Sequence, residues 1–308
     1  MIKPAFALLL CSLLTACAST PRTAPVERAH EPAAAIASPA YYDGETGSPV
    51  TLDDLARRAA DADIVVFGEL HGHPVGLAAA AELFEAIAAL RPDSAALGLE
   101  FYERDAQTSL DDYLAGITDE DAFRAATGKS AEKDDHRPLI ETARRAGLPV
   151  WALNAPRRYV RLARTIGLHA YDAMTDEQRR LVRAPEALTT GRYADEFYAL
   201  MGNMGGHGET PDDGPSEMAI SFFRSQNVWD ATMADTAVRA LDNGARPLVI
   251  IVGRFHSDFE GGLVERLRQR APGARVMTLS VLEHDAPSDE DLGRADVVVG
   301  GVAAQGAN

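Results

Sequence analysis

Short runs of apolar residues alternate with amphipathic stretches along most of the chain. The first run, residues 64–67, contains β-branched and aromatic side chains and ends at Gly68. It shows no alternation of apolar and polar positions, which is typical of a strand buried on both faces of a sheet. Similar runs predict five more buried strands, at 95–99, 149–153, 248–252, 275–279 and 295–300.

Segments with helical periodicity separate these strands. They lie at 75–90, 138–147, 160–170, 176–183, 192–201, 216–241 and 262–270. Thr51 is suited to cap a further helix that ends near Asp61, because Asp54 stands at the third position of a capping box. Gly147 is suited to end the helix before the third strand. Strands that alternate with helices predict an α/β fold with a mostly parallel sheet flanked by helices.

Two long stretches without a strand pattern interrupt this alternation. They cover 102–137 and 160–241 and predict a smaller helical cap domain. The α/β core would then consist of 49–101, 138–159 and 242–302. A cleft between the cap and the edge of the sheet is the expected ligand site.

The N-terminal residues predict export and a membrane anchor. Residues 1–16 combine a basic start with an apolar segment too short to span a bilayer, as in a signal peptide. Leu-Thr-Ala-Cys at 14–17 resembles a bacterial lipobox and predicts lipid attachment at Cys17. Because no aspartate follows Cys17, we expect a lipoprotein of the outer membrane; an ordinary cleaved signal peptide is the alternative. Residues 17–48 predict a flexible tether.

Composition excludes several functional classes. The chain has 30 Lys and Arg against 46 Asp and Glu, a net charge of -16, which argues against binding nucleic acid through phosphates. Its two cysteines are Cys11, in the predicted signal peptide, and Cys17, so thiol catalysis and cysteine metal sites are excluded. Neither a G-x-S-x-G motif nor a dinucleotide-binding glycine motif is present.

Ionisable residues follow three of the predicted strands. Glu69 and His71 follow the first strand, Glu100 the second and His256 the fourth. Because the carboxyl ends of parallel strands meet at one edge of the sheet, where ligands bind, we expect these side chains to converge. They predict a site for a divalent transition metal such as Mn, Co, Fe or Zn, and hence a metal-dependent hydrolase or protease. Taken singly, each has a simpler interpretation, as a residue that forms hydrogen bonds within a loop or interacts with a helix dipole.

The third strand is followed by Asn-Ala-Pro-Arg-Arg-Tyr at 154–159. Arg157 and Arg158 are suited to pair with ligand carboxylates, and Tyr159 would supply a hard oxygen ligand for ferric iron, including haem iron. The simpler interpretation of the same residues is a helix that starts at Pro-Arg, with Tyr159 packed in the core.

Several segments together resemble the ChaN-like haem-binding lipoproteins, in a superfamily with the Tiki and TraB proteins and erythromycin esterase. The resemblance covers roughly residues 50–285. The segments are the lipobox at Cys17, Phe-Gly-Glu-Leu-His at 67–71, Leu-Glu at 99–100, Trp-Ala-Leu-Asn-Ala-Pro-Arg-Arg-Tyr at 151–159, Gln-Asn-Val-Trp-Asp at 226–230 with Met-Ala at 233–234, and Gly-Arg-Phe-His at 253–256.

This resemblance implies an outer-membrane lipoprotein with an α/β core and a helical domain, active in haem or iron uptake. It implies haem iron ligated by a tyrosine, best matched by Tyr159, in a pocket shared by two subunits, and an outer-membrane haem receptor as partner. The haem propionates would be held by a histidine, either His136 or His207, and by a basic residue, for which Arg157 or Arg158 is available.

The enzymes of the same superfamily imply a second use of the chain. Their metal-binding or hydrolytic residues resemble Glu69, His71, Glu100 and His256. The resemblance therefore favours a haem-binding protein that is not an enzyme, with a metal-dependent hydrolase as the alternative.

Overall fold

The computed structural model describes residues 38–129, 135–204 and 214–301. All of these residues lie in a unit that extends from Ala35 to Asn308. The predicted signal peptide, Cys17, the tether up to residue 37 and His207 lie outside the described residues. None of the helices described is long and apolar enough to cross a membrane.

Eight strands form one sheet in the described part of the chain. They are β1 (Ala40–Asp43), β2 (Pro49–Val50), β3 (Ile64–Glu69), β4 (Ala96–Glu103), β5 (Val150–Asn154), β6 (Leu248–Gly253), β7 (Val276–Val281) and β8 (Val297–Gly300). Their order across the sheet is β2-β1-β8-β7-β3-β6-β4-β5. Strands β3 to β8 pair in parallel, and β1 pairs antiparallel with β2 and β8. The predicted α/β fold with a mostly parallel sheet is confirmed.

Most of the helices match predicted periodic segments. The helices are α1 (Leu52–Asp61), α2 (Pro74–Leu90), α3 (Gln107–Leu114), α4 (Glu120–Thr127), α5 (Arg137–Ala146), α6 (Arg157–Thr165), α7 (Asp176–Leu181), α8 (Arg192–Met204), α9 (Glu217–Asp242) and α10 (Gly262–Arg270). By contrast, α3 and α4 lie in the first predicted cap stretch, and α6 starts and ends earlier than the segment 160–170. The Thr51 hydroxyl accepts a hydrogen bond from the Asp54 backbone N–H at 3.2 Å, as the capping pattern predicts. Gly147 ends α5 in the left-handed conformation, with φ 68°.

Hydrophobic side chains cover both faces of the central strand β3. Val65 and Phe67 belong to a cluster with residues of α1, α2 and α5, whereas Ile64 and Val66 pack with residues of α9 and α10. Because successive side chains of a strand point to opposite faces, a sheet covered on both sides requires apolar residues at every position. This is why the β3 sequence lacks polar alternation.

The structure shows that the predicted tether extends too far into the folded domain. Residues 40–43, assigned to the tether from their sequence, form β1, in which Ala40 lies opposite Gly300. Tyr41 is 6% exposed and joins the core. A short strand beside a turn carries too little apolar pattern to be recognised, and one of its two pairing partners, β8, lies far away in the sequence.

The stretches predicted to form a cap supply α3 and α4, and α6 to α9. In α9, however, the C-terminal half packs directly on the sheet, since Met233, Ala237 and Leu241 belong to the cluster that contains Ile64. Its N-terminal half carries polar buried residues toward the carboxyl edge of the sheet. This helix therefore both covers the core and supplies side chains to the candidate site.

Candidate functional site

The predicted ionisable residues meet at the carboxyl edge of three adjacent strands. β6 lies between β3 and β4 in the sheet. Glu69 ends β3, Glu100 lies in β4, and His256 follows β6 in a short 3-10 turn, Arg254–His256. The strand order thus brings together the side chains that the sequence places at strand ends.

Glu69 is buried and holds two histidines. It is 2% exposed, and its carboxylate oxygens lie 3.1 Å from His71 Nδ1 and 2.8 Å from His136 Nε2. Burial alone would raise the pKa of Glu69, but the hydrogen bonds from His136 and His71 outweigh it and lower that pKa. The hydrogen bond to Glu69 raises the pKa of His71, against the smaller opposing effect of burial. His136 also stacks on Phe101, with ring centroids 3.9 Å apart.

Glu100 occupies the gap between the two histidine clusters. Its Oε2 accepts the Gly253 backbone N–H at 2.7 Å, and its Oε1 lies 3.6 Å from His256 Nε2. His71 approaches the same glycine closely, since a Cβ at Gly253 would lie 2.8 Å from His71 Cε1. The absence of a side chain at Gly253 therefore allows His71 to lie beside Glu100.

His256 forms the second, fully buried cluster. Its Nδ1 lies 2.5 Å from Asp230 Oδ1, and Asp230 is 0% exposed. Tyr193 donates its hydroxyl hydrogen bond to Asp230 Oδ2 at 2.7 Å, and Gln226 Nε2 donates to the Tyr193 hydroxyl at 3.0 Å. Burial would lower the pKa of His256, but the negative charges of Asp230 and Glu100 raise it to about 9. His256 is consequently an imidazolium held between two carboxylates at neutral pH.

Sequence reasoning did not assign site roles to Asp230, Gln226 and Tyr193. Gln226 and Asp230 are four residues apart on α9, so they lie on one face of the helix. Polar residues at that spacing inside a buried helix were the available signal. Tyr193 carries no such signal, because it stands near the start of α8 among ordinary helical residues. His136, predicted to contact a propionate, instead has its Nε2 on Glu69.

The four predicted metal ligands pair with one another and with their neighbours. Glu69 binds His71 and His136, and Glu100 binds the Gly253 N–H beside His256. Among the described residues, no group of three or more His, Cys, Asp or Glu side chains is arranged to hold a metal ion. A metal at this edge would have to displace hydrogen bonds that the side chains already make.

Three of the predicted haem-binding residues lie at the start of α6. Arg157 has a 91% exposed side chain that lies 3.6 Å from Glu103, while Arg158 binds Asp105 at 2.5 Å. Tyr159 is half-buried against the cluster around α6, and the Arg158 guanidinium lies 4.6 Å from its ring centroid. Arg157 is thus the accessible cation of this segment, and Tyr159 is partly covered.

An open cavity of about 590 Å³ lies next to the network. Its lining includes Phe101, Lys129 and Arg157. Phe101 connects the cavity to the histidines, because its ring stacks on His136 and meets the His71 ring edge-on at 5.2 Å. The arrangement offers an exposed imidazole, oriented by a buried carboxylate, beside a space that a ligand can enter. Such a pair is suited to move protons.

Comparison with known proteins supports this fold. The family model described as "Haem-binding uptake, Tiki superfamily, ChaN" matches residues 55–267. The structure titled "Cofacial heme binding to ChaN of Campylobacter jejuni" superposes with a TM-score of 0.64, covering 85% of this chain and 96% of that chain at 13% identity. At that identity the likeness is one of fold.

Two further structures superpose less well. The type III effector HopBA1 gives a TM-score of 0.45 at 15% identity, covering 82% of this chain and 93% of that chain. A mutant of the erythromycin esterase EreC in its open conformation gives 0.43 at 13% identity, covering 87% and 84% of the two chains. Comparison with curated proteins finds no match.

Proposed function

Because the chain belongs to the family described as haem-binding uptake, Tiki superfamily, ChaN, we propose that it binds haem and serves haem or iron uptake. The observation that carries this proposal is the family match over residues 55–267. The fold shared with a ChaN protein described as binding haem cofacially supports it.

Tyr159 is the proposed iron ligand, in a pocket completed by a second copy of the chain. A phenolate oxygen is a suitable ligand for ferric haem iron. The residues of α6 fit a haem, since the cation of Arg158 lies beside the tyrosine ring, and Arg157, elsewhere on the helix, is exposed and has only a long contact with Glu103. Haem would supply the iron centre; the chain's residues would hold and orient it.

Arg157 is the best-placed residue to bind a haem propionate. Its guanidinium is exposed, and arginine pairs with carboxylates through two parallel hydrogen bonds. Arg158 is already held by Asp105, and His136 is buried with Glu69, so either would first have to break an existing pair. We assign the propionate contact to Arg157 for this reason.

Cys17 is proposed to carry a lipid that anchors the protein to the outer membrane, where a haem receptor would be its partner. The lipobox at 14–17 supports this proposal. Expression with a radiolabelled fatty acid should label the wild type, and Cys17→Ala should abolish the label. Label retained in Cys17→Ala would refute it, and fractionation on a sucrose gradient locates the labelled protein.

A haemin titration tests the haem proposal. The purified protein should give a saturable high-spin ferric spectrum and a monomer-to-dimer shift in sedimentation. Tyr159→Phe should lose both, whereas the matched variant Tyr198→Phe, in the separate aromatic cluster around Phe223, should retain them. A spectrum identical to that of free haemin would refute the haem function, and the wild-type ferric spectrum retained in Tyr159→Phe would refute the ligand.

A hydrolase is the second candidate, and one observation favours it. The His71 side chain is 60% exposed while Glu69, its partner, is 1% exposed. A buried carboxylate that orients an accessible imidazole is the arrangement of a general base. Glu100 and the His256 imidazolium lie next to the Glu69–His71 pair. They would supply a negative and a positive charge to stabilise charges that develop during a hydrolysis reaction.

Metal analysis and a hydrolysis assay separate this candidate from haem binding. The purified protein would be assayed with chromogenic esters, with and without Zn²⁺ or Mn²⁺. A hydrolase should lose its activity in both His71→Ala and Glu69→Gln, while haemin binding persists in both variants. Absence of hydrolysis under all these conditions, or full activity in His71→Ala, would eliminate the candidate.

A further inference from the structure

A second groove lies between α6 and α9 and shares Arg157 with the cavity next to the carboxylate and histidine network. Its volume is about 390 Å³. Helix α6 contributes Arg157, Arg161 and Arg164, and α9 contributes Phe222, Ser225 and Trp229. Residues spaced by four and then three positions lie on one face of a helix, so the three arginines form a row along one wall. The opposite wall is largely aromatic.

The arginine row is under-neutralised in a strongly acidic protein. The chain carries a net charge of -16. Even so, in the described part of the chain neither the Arg161 nor the Arg164 side chain pairs with a carboxylate, and Arg157 makes only its exposed 3.6 Å contact with Glu103. Arg164 lies over the Phe222 ring instead, at 4.9 Å from its centroid. Among the described residues, the groove thus carries excess positive charge that a ligand can neutralise.

The aromatic wall defines the other half of the ligand. Phe222 is 36% exposed, and Trp229 is partly buried in the groove. Aromatic faces stack on flat ring systems, and guanidinium groups pair with carboxylates while stacking on aromatic rings. A flat apolar ring with carboxylates at its edge satisfies both walls, whereas a small inorganic anion would leave the aromatic wall unused.

We propose that this groove binds the porphyrin ring of the ligand and its carboxylates, independently of the iron. The inference rests on the proposed haem-binding function, and it assigns the row Arg157, Arg161 and Arg164 to the carboxylates and Phe222 with Trp229 to the ring. The groove volume lies within the range of about 300–1,000 Å³ of small-molecule sites.

Tyr159 cannot ligate the iron of a porphyrin in the groove of its own chain. It is two residues from both Arg157 and Arg161, so it points roughly 160–200° away around α6. It is partly buried against the cluster that contains Tyr171. A porphyrin held in the groove therefore owes its affinity to ring and carboxylate contacts. If Tyr159 ligates the same haem, it does so from a second copy of the chain.

Titration of the full-length protein with three probes tests this proposal. The probes are haemin, iron-free protoporphyrin IX and protoporphyrin IX dimethyl ester, followed by quenching of tryptophan fluorescence. The wild type should bind haemin and protoporphyrin IX, and should bind the ester, which lacks both negative charges, at least about tenfold more weakly. The double variant Arg161→Glu/Arg164→Glu should bind protoporphyrin IX at least about tenfold more weakly than the wild type, with little change for the ester.

The matched control is Arg57→Glu/Arg58→Glu, which makes the same charge change on α1 at side chains 64% and 45% exposed. It should bind all three probes as the wild type does. Phe222→Ala provides a second test, because this side chain is exposed and lines the groove. It should weaken both porphyrins several-fold while the urea midpoint stays unchanged.

The outcomes separate the groove from the haem function. If the wild type binds haemin but not iron-free protoporphyrin IX, the groove proposal is overturned while haem binding stands. The same conclusion follows if the Arg161/Arg164 variant binds protoporphyrin IX as tightly as the control does. If the wild type binds neither porphyrin, both proposals fail. Weaker protoporphyrin IX binding in the Arg161/Arg164 variant and in Phe222→Ala, but not in the control, establishes the groove.

Discussion

The buried pair of Asp230 and His256 predicts how the stability of this protein depends on pH. His256 is 6% exposed, and Asp230 and Glu100 raise its pKa to about 9 in the folded state, against the lowering effect of burial. In the unfolded chain its pKa returns to about 6.5. A pKa that is higher in the folded state means that protonation stabilises the fold. This stabilisation is complete below about pH 6.5 and is lost as the pH rises through about 9.

The size of the effect follows from the difference between the two pKa values. One pKa unit corresponds to about 1.4 kcal/mol, so the free energy of unfolding of the wild type should fall by about 3 kcal/mol between pH 6 and pH 9. Asp230→Asn keeps the size of the side chain but removes the charge nearest to His256. At pH 6 this variant should be less stable by about 3 kcal/mol or more, because a buried ion pair has lost one partner. Its stability should also change less with pH.

Urea unfolding followed by circular dichroism at several pH values between 6 and 9 measures both effects. The comparison uses the difference between wild type and variant, because His71 has a raised pKa and contributes in the same direction. His284→Asn is the matched control, since it breaks a histidine–aspartate pair whose histidine side chain is 47% exposed. It should keep the wild-type slope. Parallel curves for the wild type and Asp230→Asn would refute the reasoning.

Two further substitutions test the packing around the site by urea unfolding. Gly262→Ala would place a Cβ in direct conflict with Asp230 Oδ2 and should cost about 1–3 kcal/mol, whereas Gly273→Ala, with no atom within 4 Å of the added Cβ, should stay within about 0.5 kcal/mol of the wild type. Equal midpoints for the two alanine variants would contradict this account. Arg104→Ala removes a buried guanidinium that lies 2.8 Å from Asp235 and should cost about 3 kcal/mol. Arg104→Lys should recover only part of that loss, because lysine lacks the forked donors, and full recovery would contradict it.

The sequence alone predicted the sheet because its strands are buried on both faces. A run such as residues 64–67, without polar alternation, has few alternatives to a covered strand, and six such runs became β3 to β8. Strand β1, next to the two-residue edge strand β2, escaped recognition because its four residues owe their conformation to pairing with β2 and β8. Edge strands carry less local pattern than central ones, so the number of strands was underestimated at that edge.

The sequence also predicted that Glu69, Glu100 and His256 would converge, because parallel strands present their carboxyl ends at one edge. The sequence did not indicate which residues would pair with Glu69 and His256. His136 reaches Glu69 from 67 positions away, and Asp230 reaches His256 from a helix that covers the sheet. These contacts depend on strand order and on how α5 and α9 pack.

The groove between α6 and α9 was also decided by the tertiary structure. Sequence periodicity places Arg157, Arg161 and Arg164 on one face of a helix, but a row of arginines at that spacing usually pairs with nearby acids. Only the packing of α9 brings Phe222 and Trp229 opposite that row. Local pattern thus determined which residues share a face, and the packing of distant elements determined what that face meets.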